Sequence, residues 1–302
     1  MLLVLDESVT EAPFVPEVLA LWALAYSGRH RVMPHPSAEQ KHRDWCQRQD
    51  PDVRAMVEYG NEASLRAETT NPARLRAIVR GGPSDWAADP LELSPFEALS
   101  FALRPVHLLC ENEASDWSFL LRMAGPIDAR RLRRYQELDY IVLHGGGIDE
   151  VRRGIRDRAS DPQRCRLVAA FFDSDAKEPA KPSTAAERTR EACGVLVHHM
   201  LSRRAIENYL TLPALRKWAH HPRVPRRQRR LDRRDMKVRA LAAKSRDERD
   251  HIDMKQAVAP RIAQLFADDY YAPELDGADD GELTEFIRTV IDTVGASTGD
   301  LL

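Results

Sequence analysis

The chain lacks the patterns that define several common classes of protein. Its four cysteines are scattered without a CxxC pair, so neither a disulfide framework nor a zinc ribbon is indicated. The longest apolar run near the start, Val18 to Tyr26, is too short to span a bilayer, and Asp6 and Glu7 disfavour a signal peptide. No GxxxxGKS or GxxxxGKT occurs, which excludes a P-loop ATPase. We therefore expect a cytoplasmic protein that does not associate with membranes.

The composition is that of a folded, soluble chain. The 302 residues include 43% hydrophobic and 30% charged side chains, with 45 Lys and Arg against 47 Asp and Glu. This length suffices for a substantial core and suggests two domains, or one large domain with an appendage. The balance of apolar and charged residues argues against global disorder.

The near-neutral total hides a strong charge asymmetry. From Ser202 to Arg249 there are 16 basic and 5 acidic residues, whereas from His251 to the end there are 3 basic and 11 acidic residues. One surface should therefore be strongly positive and another negative. A positive surface of this kind suits a polyanionic partner such as nucleic acid.

Residues 1–104 read as mostly helical. Helix-compatible spacing occurs at Glu17 to Ser27, Asp52 to Tyr59, Asn71 to Arg80 and Pro95 to Leu103, with proline and glycine between these stretches. Only Met1 to Leu5 suggests a short strand. The region carries no chemical motif, so we expect an accessory domain that supplies contacts to a partner or to a second copy of the chain.

Residues 105–270 instead alternate between strands and helices. Strands are predicted at Val106 to Cys110, Tyr140 to Leu143, Arg166 to Phe172 and Gly194 to His199, with helical segments between them. This alternation is typical of βαβ units and predicts a Rossmann-like parallel sheet flanked by helices. Residues 271–302 form an acidic C-terminal segment that we expect to be helical.

Acidic side chains stand just beyond the ends of several predicted strands. These residues are Glu111 with Glu113 and Asp116, then Asp173 and Asp175, then Glu207. Because the carboxyl ends of parallel strands meet at one edge of a sheet, these carboxylates should converge there. Crowded carboxylates repel one another unless a cation neutralises them, and oxygen ligands suit Mg²⁺ or Mn²⁺. Two such ions can promote phosphodiester hydrolysis. Helix capping and ion pairing are the structural alternatives for each acid taken singly.

This arrangement resembles the TOPRIM fold of topoisomerases, DnaG-type primases and OLD-family nucleases. The family places a Glu after its first strand, a glycine after its second and an Asp-x-Asp after its third. Glu111, the run Gly145 to Gly147, and Asp173-Ser174-Asp175 match that order. The stretch from Arg204 to Leu210, with sequence RAIENYL, resembles the EIENYL segment of OLD-like nucleases of bacterial phage defence. The resemblance covers about residues 104–266.

The resemblance implies a role for each matched residue. Asp173 and Asp175 would hold one metal ion, Glu111 would ligate it or help to activate water, and Glu207 would support a second ion. Asp116 is a further candidate ligand, and Lys255 would stabilise charge on the phosphate. Departures remain, because Asn112 replaces the usual glycine and Asp116 lies five residues after Glu111. These departures leave open whether Glu111 or Glu113 is the first acid, and we prefer Glu111.

The resemblance also implies function and partners. We expect an Mg²⁺- or Mn²⁺-dependent endonuclease, with DNA favoured over RNA such as tRNA, that acts as an effector of bacterial anti-phage defence. OLD proteins carry an ATPase that is absent here, so a separate ABC/SMC-type ATPase is the expected partner. Topoisomerase activity is disfavoured because the chain has no room for the additional domain that it requires.

Two other functions remain open. A degenerate TOPRIM-like sheet could bind nucleic acid or a partner without catalysis, although buried carboxylates would not help such a binder. Asp173-x-Asp175 could instead belong to a haloacid-dehalogenase-type phosphatase, but that pair normally ends the first strand.

The Arg-rich insertion, about residues 216–249, is the candidate nucleic-acid contact. Its candidate phosphate-binding residues are Arg226, Arg227, Arg229, Arg230, Arg233 and Arg234. Such contacts would be sequence-independent and salt-sensitive. The alternative is a solvated segment, or a docking surface for the acidic tail. Trp218, Tyr209 and Tyr270 could stack on bases or belong to the core.

Overall fold

The protein is an α/β fold built on two parallel sheets. The computed structural model describes residues 1–10, 13–221 and 228–295, with the backbone alone for 228–231. Within these ranges the chain forms two four-stranded sheets, and every strand pairing in both is parallel. Helices connect and flank the strands. The α/β fold and the parallel sheet that we predicted from residue 105 onwards are therefore confirmed.

The first sheet lies in the N-terminal third of the chain. Its strands are β1 (Leu2–Leu5), β2 (Arg31–Pro34), β3 (Arg76–Val79) and β4 (Leu91–Leu93), in the spatial order β2-β1-β3-β4. Its helices are α1 (Val15–Tyr26), α2 (Glu39–Gln47), α3 (Pro51–Thr70) and α4 (Pro95–Ala102). Short 3-10 helices occupy Glu7–Thr10 and Pro36–Ala38.

The second sheet carries the predicted acidic residues. Its strands are β5 (Val106–Cys110), β6 (Ile141–His144), β7 (Val168–Phe172) and β8 (Val197–Met200), in the spatial order β6-β5-β7-β8. The connecting helices are α5 (Glu113–Met123), α6 (Pro126–Glu137), α7 (Ile148–Ala159) and α8 (Thr184–Cys193), and a 3-10 helix at Cys165–Leu167 precedes β7. All four strands lie within two or three residues of the bounds predicted from the sequence.

Short helices follow the second sheet. They are α9 (Leu212–Ala219), α10 (Gln228–Ala242), α11 (Arg246–His251), α12 (Met254–Ala257), α13 (Ala272–Leu275) and α14 (Thr284–Val294). Three 3-10 helices lie between them or precede them, at Ile206–Tyr209, Ile262–Phe266 and Asp269–Tyr271. No continuous helix follows Lys255, because α12 ends at Ala257 and Pro260 separates it from the next 3-10 helix.

Alternating side chains let the second sheet bury both faces. Leu109, Val168 and Phe172 point to one face and join a cluster with α7 and α8. Leu108 and Phe171 point to the other face, where α5 and α6 cover them. This period of two is the ordinary geometry of a strand, and burial on both sides explains why β7 reads as a continuous apolar run.

The N-terminal region differs from the prediction. Four helices are present, but they pack on a parallel sheet of which only the first strand was anticipated. The helix predicted over 71–80 is wrong, because Arg76–Val79 forms the strand β3 between β1 and β4. Ala77 and Val79 are fully buried there, so tertiary burial decided the conformation of a stretch whose spacing also fits a helix.

Two expectations about chemistry and membranes can be compared with the described ranges. All four cysteines are free thiols. None of the helices in these ranges combines the length and the apolar character that a bilayer crossing requires.

Candidate active site

The two central strands of the second sheet form a crevice at their carboxyl ends. The chain passes from β5 to β6 on one side and then crosses back to β7 on the other side. Connections that diverge in this way leave a crevice between the two neighbouring strand ends, where ligands bind in open parallel sheets. Glu111 directly follows β5, and Asp173 directly follows β7. The topology therefore places these two carboxylates at the crevice.

A cavity of about 570 Å³ opens at this point. Five of the predicted site residues line it, namely Glu111, Asp116, Asp173, Glu207 and Lys255. They come from the end of β5, from α5, from the end of β7, from the 3-10 helix at 206–209 and from α12. The fold thus gathers in one cavity residues that are widely separated along the chain.

Two predicted acids lie outside the cavity wall. Asp175 is exposed and has a backbone φ of 50°, a left-handed conformation that turns the chain away from the extended path of β7. Its N–H donates to the carbonyl of Arg204 at 2.8 Å. Glu113 is exposed in the first turn of α5. Of the two alternatives for the first acid, only Glu111 lines the cavity.

Glu111 ties together the ends of three strands. Its carboxylate accepts a hydrogen bond from the N–H of Asp173 at 2.9 Å. Its carbonyl accepts from the N–H groups of Gly146 and Gly147 at 3.1 and 2.8 Å. A side chain at Gly145 would meet the backbone nitrogen of Glu113 at 2.9 Å, so this glycine permits a close approach of the two loops. The glycine run therefore closes the crevice, and Gly147 lines the cavity.

Asp116 is held by the first turn of its own helix. Asn112 caps α5, because its side chain accepts from the N–H of Ser115 at 3.1 Å. The N–H of Asn112 in turn donates to the Asp116 carboxylate at 2.9 Å. Asp116 is only 5% exposed. The hydrogen bond from Asn112 gives Asp116 a structural role at the start of α5. Its position on the cavity wall also makes Asp116 a candidate metal ligand.

The Asp-x-Asp segment is fastened to the segment that precedes Glu207. The N–H of Ile206 donates to Asp173 Oδ1 at 3.2 Å, and the hydroxyl of Ser174 donates to the carbonyl of Arg203 at 2.6 Å. The N–H of Asp175 adds a third link to this segment. Movement of one acidic segment is therefore coupled to movement of the other.

Glu207 pairs with Lys255, not with the neighbouring arginines. Lys255 Nζ lies 3.3 Å from Glu207 Oε1, and the Glu207 side chain is 4% exposed. Arg203 and Arg204 instead face Asp250 and Asp253 at 3.5 and 3.7 Å. The alternative of a helical ion pair between Glu207 and an adjacent arginine is therefore wrong. The candidate lysine stands beside a buried acid of the same cavity.

Asn208 fixes this acid relative to the lysine segment. Its side-chain oxygen accepts from the N–H of Ala205 at 3.1 Å. Its amide donates to the carbonyls of Arg249 and Ile252 at 2.7 and 3.0 Å. The segment 249–252 leads directly into α12, which carries Lys255. One buried side chain therefore links the segments that carry Glu207 and its partner.

Glu282, from the acidic C-terminal segment, anchors the same loop from the other side. Its carboxylate accepts from the Tyr209 hydroxyl at 2.5 Å, from the Ser202 hydroxyl at 2.6 Å and from the Ser202 N–H at 2.7 Å. His199 Nε2 lies 2.9 Å from Glu282 Oε1, the oxygen that also accepts from the Ser202 N–H. Desolvation opposes ionisation of Glu282, but these donors outweigh it and lower its pKa to about 2.

The cavity concentrates negative charge. Desolvation, followed by the charges of Glu111 and Asp116, raises the pKa of Asp173 well above its ordinary value. Desolvation also raises the pKa of Glu111 to about 7, with a further contribution from Asp175 and against the N–H of Asp173.

Burial and the neighbouring charges also shift the pKa values of Asp116 and Lys255. Desolvation raises the pKa of Asp116 to about 6, against the hydrogen bond from the N–H of Asn112. Desolvation lowers the pKa of Lys255, but the charges of Glu207 and Asp173 outweigh it and leave that pKa raised. The lysine is therefore protonated near neutral pH, and it is the cation that the acids face.

The donor set fits a hard divalent cation. Four carboxylates supply oxygen ligands of the kind that Mg²⁺ and Mn²⁺ prefer, and a single lysine offsets only part of their charge. The raised pKa values reflect desolvation first and repulsion between the carboxylates second, and a bound cation would oppose both effects. In the described ranges, no three His, Cys, Asp or Glu side chains already stand close enough to hold one ion together. Glu111 and Asp116 instead accept hydrogen bonds from backbone N–H groups.

Sequence reasoning missed several residues of the cavity and its support. Ser115, Arg261 and Gln264 line the cavity, and Asn208 and Glu282 position its loop. Arg261 is exposed at the wall and makes no hydrogen bond or ion pair with the described residues. No motif marks Arg261 or Glu282, whose neighbours in space lie far away in sequence.

The Arg-rich insertion is only partly within the described ranges. Arg226 and Arg227 lie outside them, and Arg229 and Arg230 belong to the first turn of α10, where only the backbone is described. Arg233 is exposed, whereas the Arg234 guanidinium lies 4.3 Å from the Trp218 ring centre. Of the candidates whose side chains are described, Arg233 is thus the one that faces solvent freely.

The Arg-rich helix stands close to the acidic cavity. Lys237 on α10 donates to the carbonyl of Val258 at 2.7 Å, three residues after Lys255. The aromatic candidates differ in exposure. Tyr209 is fully buried and belongs to the core, whereas Tyr270 is half exposed beside Lys217. The positive helix and the cavity therefore share one region of the molecule.

Comparison of the chain with protein-family models, with curated proteins and with solved structures finds no match in any of the three.

Proposed function

We propose that the protein is an Mg²⁺- or Mn²⁺-dependent endonuclease with a TOPRIM-like catalytic unit at residues 105–270. The convergence of Glu111, Asp116, Asp173 and Glu207 with Lys255 around one cavity carries this proposal. Buried carboxylates that repel one another serve no purpose in a protein that only binds polyanions, because each is costly to desolvate. They do serve a cation site that acts on phosphate esters.

The residues divide the work as follows. Asp173, with Asp175 after a local change in backbone direction, would hold one ion, and Glu207 would hold a second. Glu111 would ligate the first ion or take a proton from the attacking water. Lys255, which is 56% exposed beside Glu207, would approach a phosphate oxygen. Bound ions would supply an activated water and would stabilise the leaving oxygen. The water oxygen forms a bond to phosphorus as the ester P–O bond breaks.

The surroundings of the cavity suit a nucleic-acid substrate. Arg233 is exposed on α10, and Lys237 fastens that helix beside the segment that follows Lys255. Arg261 adds a positive side chain at the cavity wall. Positive side chains in this arrangement can contact successive phosphates without reading the base sequence. We favour DNA as the substrate and keep RNA, including tRNA, as the alternative.

The biological setting follows from the resemblance to OLD-like nucleases. We infer a cytoplasmic effector of bacterial anti-phage defence that a separate ABC/SMC-type ATPase restrains or activates. The first sheet and its helices would provide the contacts to that partner or to a second copy of the chain. A nuclease that is held inactive until its partner arrives would avoid damage to the host.

A direct experiment is to incubate the purified protein with plasmid DNA and with total tRNA in Mg²⁺, Mn²⁺ or EDTA. Asp173→Ala should abolish cleavage. Glu178→Gln is the matched control, because Glu178 is an exposed acid that pairs with Lys181 outside the cavity. Thermal stability should rise with metal for the wild type and the control but not for Asp173→Ala.

The possible results separate three states of the protein. Cleavage that requires metal and Asp173 would support the nuclease and identify its substrate. Metal-induced stabilisation without cleavage would support a nuclease that awaits its partner. The absence of both would refute the catalytic proposal and leave a basic binding module.

A further inference from the structure

A second cavity lies in the N-terminal unit, in the groove between α2 and α3 at the end of β2. Its volume is about 460 Å³, and it shares no lining residue with the acidic cavity. One face of α2 and one face of α3 form its two walls, and Met33 and Pro34 form its floor. The groove has the size of a pocket for one small molecule.

The polar side chains of this groove do not satisfy one another. Glu39 and Arg43 extend from α2, while Glu58 and Asn61 extend from α3. Among the described residues, none of these four side chains makes a hydrogen bond or an ion pair. Elsewhere on α3, Arg66 pairs with Glu62 and Glu68 pairs with two arginines, so the groove differs from the rest of that helix.

Two buried polar atoms in the wall have no partner. His42 is 6% exposed, and within the described part of the chain neither its Nε2 nor the buried Oδ1 of Asn61 makes a hydrogen bond. The His42 ring is held between Trp22 and Trp45, with centre distances of 5.1 and 5.2 Å. Desolvation lowers the pKa of His42 to about 4, so the ring is neutral near pH 7. Buried polar atoms normally have partners, and a ligand would provide them.

The chemistry of the lining narrows the class of ligand. Met33, Val57 and Leu65 offer apolar surface that suits the face of a flat ring. A purely apolar ligand would leave the buried polar atoms unsatisfied. A compact polyanion is disfavoured because two carboxylates, Glu39 and Glu58, face a single arginine. The ligand should therefore be a planar group whose edge carries both hydrogen-bond donors and acceptors.

We propose that this groove binds the base of a nucleoside or nucleotide. Bases have apolar faces and edges that alternate between donors and acceptors. The Asn61 amide can both donate to and accept from such an edge, as asparagine does with adenine. Glu58 can accept from an exocyclic amino group, and Arg43 can donate to a ring nitrogen or carbonyl. The sugar, with any phosphate attached to it, would extend out of the open side of the groove into solvent.

The test is thermal unfolding of the full chain with adenosine, guanosine, cytidine or uridine at about 1 mM, with ribose as the negative control. At least one nucleoside should raise Tm by about 3 °C, whereas ribose should not. Asn61→Leu should remove the shift, and Arg43→Ala should weaken binding roughly tenfold in calorimetric titration. Arg66→Ala, which changes an exposed arginine on α3 outside the groove, should bind as the wild type does.

Two results would overturn the proposal. One is the absence of any nucleoside-induced shift in the folded wild type, and the other is a shift that persists undiminished in Asn61→Leu. If Asn61→Leu does not fold, Glu58→Gln, about one helical turn earlier on the same wall, gives the same comparison. Asp173→Ala should retain the nucleoside-induced shift in Tm, so this test does not depend on the nuclease proposal. Loss of the shift in Asp173→Ala would show that the nucleoside binds in the acidic cavity and would overturn the proposal for the groove.

Discussion

Glu282→Gln tests whether the C-terminal segment holds the active-site loop. The Glu282 carboxylate accepts hydrogen bonds from both Ser202 and Tyr209, and Tyr209 lies two residues after the candidate ligand Glu207. Glutamine preserves the size of the side chain but removes its charge and replaces one acceptor oxygen with a donor. The Tyr209 hydroxyl or the Ser202 hydroxyl would then face a donor.

The magnitude follows from the lowered pKa. Lowering the pKa of Glu282 from its ordinary value of 4.5 to about 2 corresponds to about 3 kcal/mol, because one pKa unit is equivalent to about 1.4 kcal/mol. The side chain retains 18% exposure, so solvent reduces this figure and we expect a loss of about 2–3 kcal/mol at pH 7. Because the folded-state pKa is lower than the unfolded value, this stabilisation is complete above pH 4.5 and is lost as pH falls towards 2.

The assay is urea unfolding of both proteins at pH 7, 4 and 3. The difference in free energy of unfolding between wild type and Glu282→Gln should be largest at pH 7 and about half as large at pH 3. Glu285→Gln is the matched control, because Glu285 is an exposed acid on the adjacent turn that pairs with Arg74. It should unfold at the same urea concentration as the wild type at pH 7.

The same variant also reports on the site. If Glu282 positions the loop, Glu282→Gln should weaken metal-induced stabilisation at pH 7 even where the protein remains folded. Equal stability of variant and wild type at pH 7, or a difference that does not shrink between pH 7 and pH 3, would refute the reasoning.

Three further outcomes test the acidic cavity and the Arg-rich helix. Asp173→Asn should raise Tm of the metal-free protein, because it removes one of several repelling carboxylates, and should abolish the Mg²⁺-induced rise in the same thermal scan. Lys255→Gln should slow plasmid or tRNA cleavage roughly 10²–10³-fold while metal-induced stabilisation remains. Arg233→Ala should reduce the slope of log K against log salt by about 1 in fluorescence anisotropy with labelled DNA, with Arg66→Ala unchanged.

A specific result would contradict each of these three predictions. A metal-free Asp173→Asn protein that melts below the wild type would contradict the charge repulsion inferred for the cavity. Full cleavage by Lys255→Gln would exclude the lysine from the reaction. An unchanged salt slope for Arg233→Ala would place the phosphate contacts elsewhere.

The second sheet could be predicted from the sequence because characteristic residues precede or follow its strands. Val106–Cys110 follows a proline, and Val168–Phe172 is a continuous apolar run that ends at an acid. Burial on both faces gives such strands their composition, and the rule for parallel strand ends then places Glu111 and Asp173 together. The first sheet carried no comparable signal, since the spacing of the stretch that forms β3 also fits a helix and β4 has only three residues.

Two details of the cavity could not be read from the sequence. An Asp-x-Asp pair in an extended strand puts both side chains on one side, but the left-handed backbone of Asp175 breaks that alternation. Glu282 reaches Tyr209 across 73 residues, and Asn208 reaches Ile252 across 44. Local patterns report on neighbours along the chain, whereas these contacts depend on how distant segments pack.

Ion pairs in the structure account for part of the charge asymmetry of the sequence. Acids of the C-terminal region pair with basic groups elsewhere, as Asp280 does with Arg203 and Arg246, and Glu274 with Lys217. Among the described residues, these pairs offset three of the basic residues of the region from Ser202 to Arg249, namely Arg203, Lys217 and Arg246. Arg233 makes no such pair in the described ranges. Among the described residues of α10, Arg233 is therefore the side chain from which the salt dependence of binding should originate.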